Sequence, residues 1–327
     1  MAAACLLAAV ASAQPRPAAS APANAAPPAP QFDVGKAEVH VLHVQGNVYM
    51  LVGAGGNIAV QAGDEGVLVV DTGIAGMSDK ILAAIRSISP KPIRYIVNTH
   101  VHPDHIGNNQ QLAAAGKTVT GGPGMAAVPG GQTLATIISH NNVLDRMTAA
   151  KPAIPSAAWP IDTYTSGQKE VYYNGEPVQI MYQPAAHTDG DSMVFFRHSD
   201  VIAAGDIFLT TGYPFIDMER GGSVQGIIEG LNRMLEIAIP KHEQEGGTYI
   251  IPGHGRLCDE ADLVEYRDMV TIIRDRVQAG IKKGQTLEQV KAAKLTRDYD
   301  ARYGATTGFW TTDMFVEAVY KSLTAKK

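Results

Sequence analysis

The sequence has few cysteines, few aromatic residues and no excess of positive charge. Two of its 327 residues are cysteines, 6% are aromatic, and 27 lysines and arginines stand against 32 aspartates and glutamates. A net charge of -5 provides no basic surface for a phosphate backbone, and the low aromatic content argues against a base-stacking platform. Nucleic acid is therefore not expected as a partner, whereas a hydrophobic content of 45% is ample for a large core.

Long hydrophobic runs are also missing, and the longest candidate lies at the N-terminus. Residues 1–13 are mostly Ala, Leu and Val and end in Ala11-Ser12-Ala13, the small-residue pattern of a signal-peptidase site. The run is too short to span a membrane, and the absence of Lys or Arg before it leads us to expect a start codon further upstream. Residues 14–30 are rich in Pro and Ala and are typical of an extended linker. We therefore expect export to a bacterial periplasm, with Cys258 as the one cysteine of the mature chain and no internal disulfide.

The most informative stretch is the motif His100-Val101-His102-Pro103-Asp104-His105. A short apolar run at 93–97 predicts a buried strand before it, and 108–116 predicts a helix after it, so the motif occupies a strand-to-helix turn. Alternation along an extended chain lets the first two histidines point the same way. Pro103 then turns the chain, so Asp104 and His105 face a second point in space, a spacing that favours two metal ions over one.

Further metal-type donors follow predicted strands elsewhere in the chain. Three strand ends deliver one donor each: His187 after 178–182, Asp206 after 201–204 and His254 after 249–251. Asp71 follows the apolar strand 67–70, where it is either a helix N-cap or, as we favour, a partner that orients a ligand histidine. A histidine-rich surface turn explains any one of these residues but not all of them, because imidazole and carboxylate are preferred zinc ligands.

The remaining pattern predicts one domain over residues 31–260 and a helical extension over 261–327. Helices are expected at 78–87, 132–147, 262–278 and 315–323, and a strand pair at 39–44 and 48–52. His140 is expected to be an ordinary surface or interface histidine. The extension carries no donor cluster, so we expect it to pack on the domain, to line the pocket or to mediate self-association as a homo-oligomer.

Together, the motif His-x-His-x-Asp-His, the lone His187, Gly205-Asp206 and Gly253-His254 resemble the metallo-β-lactamase superfamily over about 39–257. This resemblance implies an α/β fold, a four-layer αββα sandwich with metals at one edge between the sheets. It implies one metal on His100, His102 and His187, a second on Asp104, His105 and His254, Asp206 bridging them, and Asp71 as a partner behind the ligands. Two zinc ions are the implied cofactor, because redox di-iron relatives carry a carboxylate where this chain has His102.

Two departures from the lactamase pattern affect the predicted substrate. Asp206 stands where some lactamase subclasses have a cysteine ligand, and Leu209 replaces their substrate-carboxylate lysine. A bridging aspartate resembles the glyoxalase II, lactonase and ribonuclease Z branches, although expected export resembles the lactamases and the acidic balance disfavours a ribonuclease. Candidate anion contacts are Arg220, Lys241 and Arg256, and candidate rim contacts are Tyr213 and the loop 53–57, with a solvated or structural role weighed beside each.

The predicted function is an exported binuclear zinc hydrolase that opens an acyl bond of a small molecule. In this hypothesis a hydroxide held between the two ions attacks a carbonyl carbon, and Asp104 orients the nucleophile and carries its proton. A β-lactam is the first substrate predicted, with a lactone or thioester as the alternative. A periplasmic metal-binding protein without turnover is the other class left open.

Overall fold

The computed structural model describes residues 33–118, 134–243 and 246–325. The predicted signal peptide at 1–13 and linker at 14–30 lie outside these residues. Thirteen strands occur in the described part of the chain: β1 His40–Gln45, β2 Val48–Val52, β3 Ile58–Gly63, β4 Gly66–Val70, β5 Ile93–Val97, β6 Thr136–His140, β7 Asp162–Tyr164, β8 Gln168–Tyr173, β9 Glu176–Tyr182, β10 Ser192–Phe196, β11 Val201–Ala203, β12 Tyr249–Ile251 and β13 Cys258–Asp259.

The described residues also form nine α-helices, and none of these helices is long and apolar enough to cross a membrane. They are α1 Ser78–Ile88, α2 Pro103–Ile106, α3 Asn109–Ala115, α4 Asn141–Ala149, α5 Val224–Ile237, α6 Glu260–Lys282, α7 Leu287–Ala292, α8 Asp300–Tyr303 and α9 Thr312–Thr324.

The strands build two mixed sheets that face each other. The first sheet has the order β1-β2-β3-β4-β5-β6-β7, and the second has the order β13-β12-β11-β10-β9-β8. In the first sheet β4, β5, β6 and β7 run parallel, and in the second β11 and β12 run parallel. Parallel neighbours end at the same edge of a sheet, so the loops that follow them lie side by side.

Alternation along the buried strands assigns their side chains to different layers. In β4, Leu68 and Val70 face the second sheet, whereas Val67 and Val69 pack against α1 and α3 on the outer face. The core between the sheets is completed by apolar residues of β9, β10 and β11, such as Ile180. Helix, sheet, sheet and helix therefore stack in four layers, and the predicted αββα sandwich is confirmed.

The helices of the C-terminal extension cover the outer face of the second sheet. Apolar residues of α6 and α9, including Tyr266 and Phe315, share one buried cluster with α5 and with Ile202 and Ile250 of the sheet. Asp259 caps α6, and a capping box of Thr286 and Gln289 begins α7. The extension therefore packs on the domain, which is one of the three roles expected from the sequence.

The predicted helix over 132–147 is wrong over residues 134–140, and residues 132 and 133 lie outside the described part of the chain. Residues 136–140 form β6, which pairs in parallel with β5, and α4 begins only at Asn141. His140 is 5% exposed, and its ring stacks on Tyr182 with centroids 3.6 Å apart, so it is not a surface histidine. Its ring Nδ1 accepts a hydrogen bond from the Asn142 amide and so caps α4.

Candidate metal centre

Five strand ends bring the predicted donors to one edge of the sandwich. Each donor or donor group follows a strand directly: Asp71 follows β4, the histidine motif follows β5, His187 follows β9, Asp206 follows β11 and His254 follows β12. The parallel pairs β4–β5 and β11–β12 hold four of these ends next to each other. The structure therefore brings together all seven predicted donors, in two adjoining groups.

The first group, which we call the three-histidine half, contains His100, His102 and His187. His187 Nε2 lies 2.8 Å from His102 Nδ1, and the three rings have centroids 4.6–4.9 Å apart. His100 Nε2 is buried and has no hydrogen-bond partner. A buried imidazole nitrogen without a partner is costly, and a metal ion between the rings would satisfy it.

The second group, the aspartate half, contains Asp104, His105 and His254. His254 Nε2 lies 3.2 Å from Asp104 Oδ2 and 3.4 Å from His105 Nε2. The side chains of Asp104 and His254 are 32% and 27% exposed, whereas His105 is fully buried. The aspartate half is therefore the side of the cluster that reaches solvent.

Asp206 lies between the two halves, where the resemblance placed a bridging ligand. Its Oδ1 lies 3.1 Å from His105 Nε2, and its Oδ2 lies 3.5 Å from His254 Nε2 and 3.7 Å from His187 Nε2. Its Oδ2 is also 4.0 Å from His100 Nε2. One carboxylate thus reaches donors of both groups.

The hydrogen bonds behind the histidines determine which nitrogen faces the centre. The outward nitrogens have these partners: His100 Nδ1 with Thr99 Oγ1 at 3.0 Å, His102 Nε2 with Asp217 Oδ2 at 2.8 Å, His105 Nδ1 with Asp71 Oδ2 at 2.7 Å and His187 Nδ1 with the Phe215 carbonyl at 2.6 Å. Carboxylates and carbonyls only accept hydrogen bonds, so the imidazoles of His102, His105 and His187 must donate their outward N–H. The inward nitrogens are then left with free lone pairs, the form that binds a metal.

Thr99 fixes the remaining tautomer. Its hydroxyl donates to Asp71 Oδ2 at 2.7 Å, so its oxygen is left to accept the proton of His100 Nδ1. The Thr99 amide donates to Asp71 Oδ1 at 2.8 Å. Asp71 itself has a left-handed backbone, with φ at 65°. A non-glycine residue in that region is strained, so the surrounding hydrogen bonds hold Asp71 in the place where it can orient His105.

Sequence reasoning missed Asp217, Thr99 and Phe215. Asp217 lies in the loop after β11, 30 residues beyond His187, and its carboxylate is 5% exposed and also accepts from Arg220 at 2.6 Å. Thr99 adjoins the motif, and its hydroxyl beside a ligand histidine was a usable signal. Phe215 contributes its backbone carbonyl. Every residue has such a group, so the residue type could not indicate this contact.

The charges of the cluster are strongly coupled. Burial lowers the pKa of His100 well below its usual value and, together with the nearby His102, lowers that of His187 to about 4. Burial acts the same way on His254, but Asp206 and Asp104 outweigh it and raise its pKa to about 9. Protons therefore occupy part of the cluster when no ion is bound, and metal binding must displace them.

Two glycines leave room for this packing. A Cβ on Gly253 would lie 1.9 Å from Asp206 Oδ1, and a Cβ on Gly56 would lie 2.5 Å from His105 Cε1. Asn57 Nδ2 donates to the carbonyls of Pro252 and Gly255, at 2.8 and 3.0 Å, and so holds the segment that carries His254. Both glycines are needed because a side chain at either position would occupy the space of a donor.

The donor set fits bound metal ions. The donor atoms within each group lie within 4.8 Å of one another, and all are imidazole nitrogens or carboxylate oxygens, which suit zinc and related divalent ions. The buried His100 Nε2 has no other partner. Two groups joined by Asp206 match the arrangement of a two-metal site.

Three of the other predicted contacts have structural partners, and the fourth, Lys241, is exposed. Arg220 binds Asp217, and Arg256 binds Asp262 through both oxygens of that carboxylate. Tyr213 is 3% exposed and belongs to the core, which favours the structural role that was weighed for it. Arg256 also borders an open groove beside His254.

The open groove beside His254 has a volume of about 570 Å³, and its lining is mostly apolar. Leu42, Val52 and Leu257 line it above the buried Met50, and His254 opens onto it. Leu42 is 44% exposed, so its side chain is available to a ligand. The aspartate half of the cluster therefore adjoins a site that suits an apolar group.

Comparisons with known proteins agree with this architecture. A linear primary-alkylsulfatase of Pseudomonas sp. (strain ATCC 19151) is 24% identical over 265 residues, which are 71% of this chain and 48% of the sulfatase. The solved inverting sec-alkylsulfatase Pisa1 from Pseudomonas sp. has a TM-score of 0.62 at 14% identity, with 87% of this chain and 50% of that chain covered. This chain thus spans about half the length of either sulfatase.

Solved lactamases share the fold over a shorter part of this chain. The DIM-1 metallo-β-lactamase has a TM-score of 0.54 at 14% identity, and the match covers 72% of this chain and 97% of the lactamase. The sequence profile of the metallo-β-lactamase superfamily matches residues 44–254, which include every predicted ligand. The chain belongs to the metallo-β-lactamase superfamily, whose members are metal-dependent hydrolases.

Proposed function

We propose that this chain is a hydrolase with two zinc ions and that its substrate is an ester carrying an alkyl chain. The observation that carries the catalytic part is the convergence of seven donors, of which four of the five histidines have their outward nitrogen hydrogen-bonded. Partners of that kind fix the orientation of histidines that bind a metal. When bound, two zinc ions supply Lewis-acid activation of a water molecule and of the scissile bond.

The chain's own residues orient the reactants. Asp104 is the most exposed donor, so an incoming water can reach its carboxylate and pass a proton to it. Asp206 separates the two halves and balances their charge. The charges of His254 and His105 keep the pKa of Asp206 low despite its burial, so this carboxylate stays ionised at neutral pH.

The groove beside His254 supports the alkyl-chain substrate. Its volume lies within the range of about 300–1,000 Å³ that is usual for small-molecule sites, and its lining would bury a hydrocarbon chain next to the reacting bond. The alkylsulfatase relatives are named for substrates of that shape, which makes a linear alkyl sulfate the first ester to test. Long-chain lactones and thioesters, the acyl alternative predicted from the sequence, fit the same groove.

β-Lactam hydrolysis, the first substrate predicted from the sequence, stays a prediction with less support. Leu209 occupies the position where the lactamase resemblance expects a lysine for the substrate carboxylate, and it is 6% exposed and packed in the core. Arg256 is near the groove, but Asp262 already neutralises it. The expected export, which residues 1–13 indicate, is the feature that favours this candidate.

The proposal can be tested by assaying the purified chain with matched substrates. Hexyl and dodecyl sulfate, a long-chain lactone, a thioester and a chromogenic cephalosporin would be assayed before chelation, after chelation and after zinc is restored. We expect zinc-dependent hydrolysis of a long-chain ester, with loss of turnover in His102→Ala and normal turnover in His242→Ala, whose side chain is 80% exposed. Full activity of a folded His102→Ala protein would refute the assignment, and turnover of the cephalosporin alone would move the substrate to β-lactams.

Location and assembly are further proposals. We propose export to the periplasm, to be checked by fractionating cells that express the whole chain. Self-association through the C-terminal helices is a prediction for light scattering of the purified protein. A chain that binds zinc tightly but hydrolyses none of these substrates would favour the non-catalytic metal-binding class.

A further inference from the structure

One loop, residues 212–217, lies between the metal cluster and the C-terminal extension. It follows β11 and a short helical turn that carries Asp206. Its polar groups and rings make contacts on both sides. We call it the bridging loop.

On the cluster side, the bridging loop holds two of the three histidines. Its Phe215 carbonyl accepts from His187 Nδ1 at 2.6 Å, and its Asp217 carboxylate accepts from His102 Nε2 at 2.8 Å. The Phe215 ring also stacks on the His102 ring, with centroids 5.6 Å apart and planes inclined by 25°. The position of the loop therefore sets the direction of both imidazoles.

On the far side, the C-terminal extension binds the bridging loop along residues 212–215. Five hydrogen bonds join them: Tyr266 Oη to the Gly212 carbonyl at 3.2 Å, the Tyr213 amide to the Tyr303 carbonyl at 3.2 Å, Tyr213 Oη to Asp300 Oδ1 at 2.8 Å and to the Thr296 carbonyl at 3.2 Å, and Trp310 Nε1 to the Pro214 carbonyl at 3.1 Å. All five partner groups outside the loop belong to residues 261–327.

Aromatic packing reinforces these hydrogen bonds. The Phe215 ring meets Trp310 and Phe309 edge to face, with centroids 4.7 and 5.1 Å away. Tyr213 stacks on Phe315, with centroids 4.7 Å apart and planes inclined by 6°. Aromatic pairs at these distances resist displacement, so the loop is braced from the side of the extension.

We propose that the C-terminal extension positions the three-histidine half of the metal centre through the bridging loop. Trp310 of the extension and Tyr213 of the bridging loop are the positioning residues: neither is a metal donor, and both act through Phe215 and Asp217. The inference rests on the proposed metal assignment. It gives residues 261–327 a function beyond covering the second sheet.

The proposal predicts an effect on only one half of the centre. His105 in the aspartate half is oriented by Asp71, and the segment that carries His254 is held by Asn57. A direct hydrogen-bond partner of a metal ligand contributes about 10–100-fold to metal affinity. Because Trp310 acts through one intermediate, we expect Trp310→Ala to weaken zinc binding about tenfold in the three-histidine half alone.

The test measures the zinc affinity of each half separately. His254→Ala in the full chain leaves the three-histidine half, and His100→Ala leaves the aspartate half, with affinity measured by competition against a chromophoric chelator. Trp310→Ala, Trp310→Phe and Tyr213→Phe are added to each background. Trp310→Phe keeps an aromatic ring and removes the indole N–H that bonds the Pro214 carbonyl. The loss of this single hydrogen bond should lower the zinc affinity of the three-histidine half about threefold.

Two control variants destabilise the extension without touching the bridging loop. Tyr320→Phe removes a hydrogen bond from Tyr320 Oη to the Gln285 carbonyl at 3.1 Å, and Val290→Ala opens a cavity under a fully buried side chain. Both should lower the melting temperature and leave both zinc affinities unchanged. Only variants at Trp310 and Tyr213 should lower the zinc affinity of the three-histidine half and leave that of the aspartate half unchanged.

Three results would count against the inference. Unchanged zinc affinity in Trp310→Ala would overturn it, as would an equal loss in both halves or a loss that the control variants reproduce. In all of these cases the wild-type chain still binds two zinc ions and the proposed function stands. A wild-type chain that binds no zinc would overturn the proposed function, and this inference with it.

Discussion

Replacing Asp217 by alanine should weaken zinc binding in the three-histidine half. The carboxylate is 5% exposed and lies 2.8 Å from His102 Nε2, so it is the group that directs His102 Nδ1 at the metal. Loss of such a partner costs about 10–100-fold in metal affinity, or about 1.4–2.8 kcal/mol. Arg220→Ala removes the second donor to Asp217 but leaves the contact with His102, so its effect should be several times smaller.

The ionisation of Asp217 should add no pH dependence to this loss between about pH 5 and 8. Burial alone would raise the pKa of Asp217, but the hydrogen bonds from His102 and Arg220 outweigh burial and hold it below its usual value. A depressed carboxylate pKa stabilises the folded state above the unfolded pKa, and this contribution is lost only as the pH falls through the folded value. The carboxylate is therefore fully charged throughout the range.

The assay is chelator competition on the purified variants, with Asp298→Ala as the matched control. Asp298 pairs with Arg276 at 2.8 Å within the C-terminal extension, so its removal deletes an equivalent ion pair far from the histidines. Asp298→Ala should bind both zinc ions as the wild type does. Wild-type affinity in Asp217→Ala would refute the reasoning that hydrogen bonds behind the histidines prepare the site.

Three further substitutions test the packing of the centre and the groove. Gly253→Ala should abolish bridging by Asp206, because its Cβ would lie 1.9 Å from the carboxylate oxygen; two zinc ions by mass spectrometry would contradict this. Gly56→Ala should weaken the aspartate half selectively through its clash with His105, and equal losses in both halves would oppose that view. Leu42→Ser should raise KM for dodecyl esters severalfold and leave hexyl esters unchanged, whereas equal KM changes would remove the groove from the substrate site.

The four-layer fold was predictable from the family resemblance, whereas the strands and the positions of the donors were predictable because their signals are local. The motif around His100 lies between an apolar five-residue strand and a glycine-ended helix, and the structure has β5 and α3 there. His187, Asp206 and His254 each follow a short apolar run, and strand ends of one sandwich edge converge. Residue type and strand position were enough to find them.

Residues whose role depends on distant partners were not predictable. Asp217 lies in an irregular loop, and only the folded chain brings it to His102, 115 positions earlier. The Phe215 carbonyl has no signature in a sequence at all. The role of the bridging loop was not predictable either, because its partners in residues 261–327 lie 50 or more positions away from it in the chain.

The error over residues 136–140 has a similar cause. Thr136, Ile137 and Ile138 are β-branched and favour a strand, but the interpretation joined them to the helix that follows. The strand is stabilised by parallel pairing with β5, whose residues lie about 40 positions earlier, and by β7 on its other side. Pairing at that distance is a tertiary contact, which local propensity does not report.

The central claim is that seven side chains hold two zinc ions with Asp206 between them. The most direct test is the zinc content of the reconstituted and dialysed wild-type chain, measured beside that of Asp206→Ala. We expect two zinc ions per wild-type chain and fewer than two in the variant. A wild-type chain without zinc, or an Asp206→Ala chain that retains both ions at wild-type affinity, would contradict it.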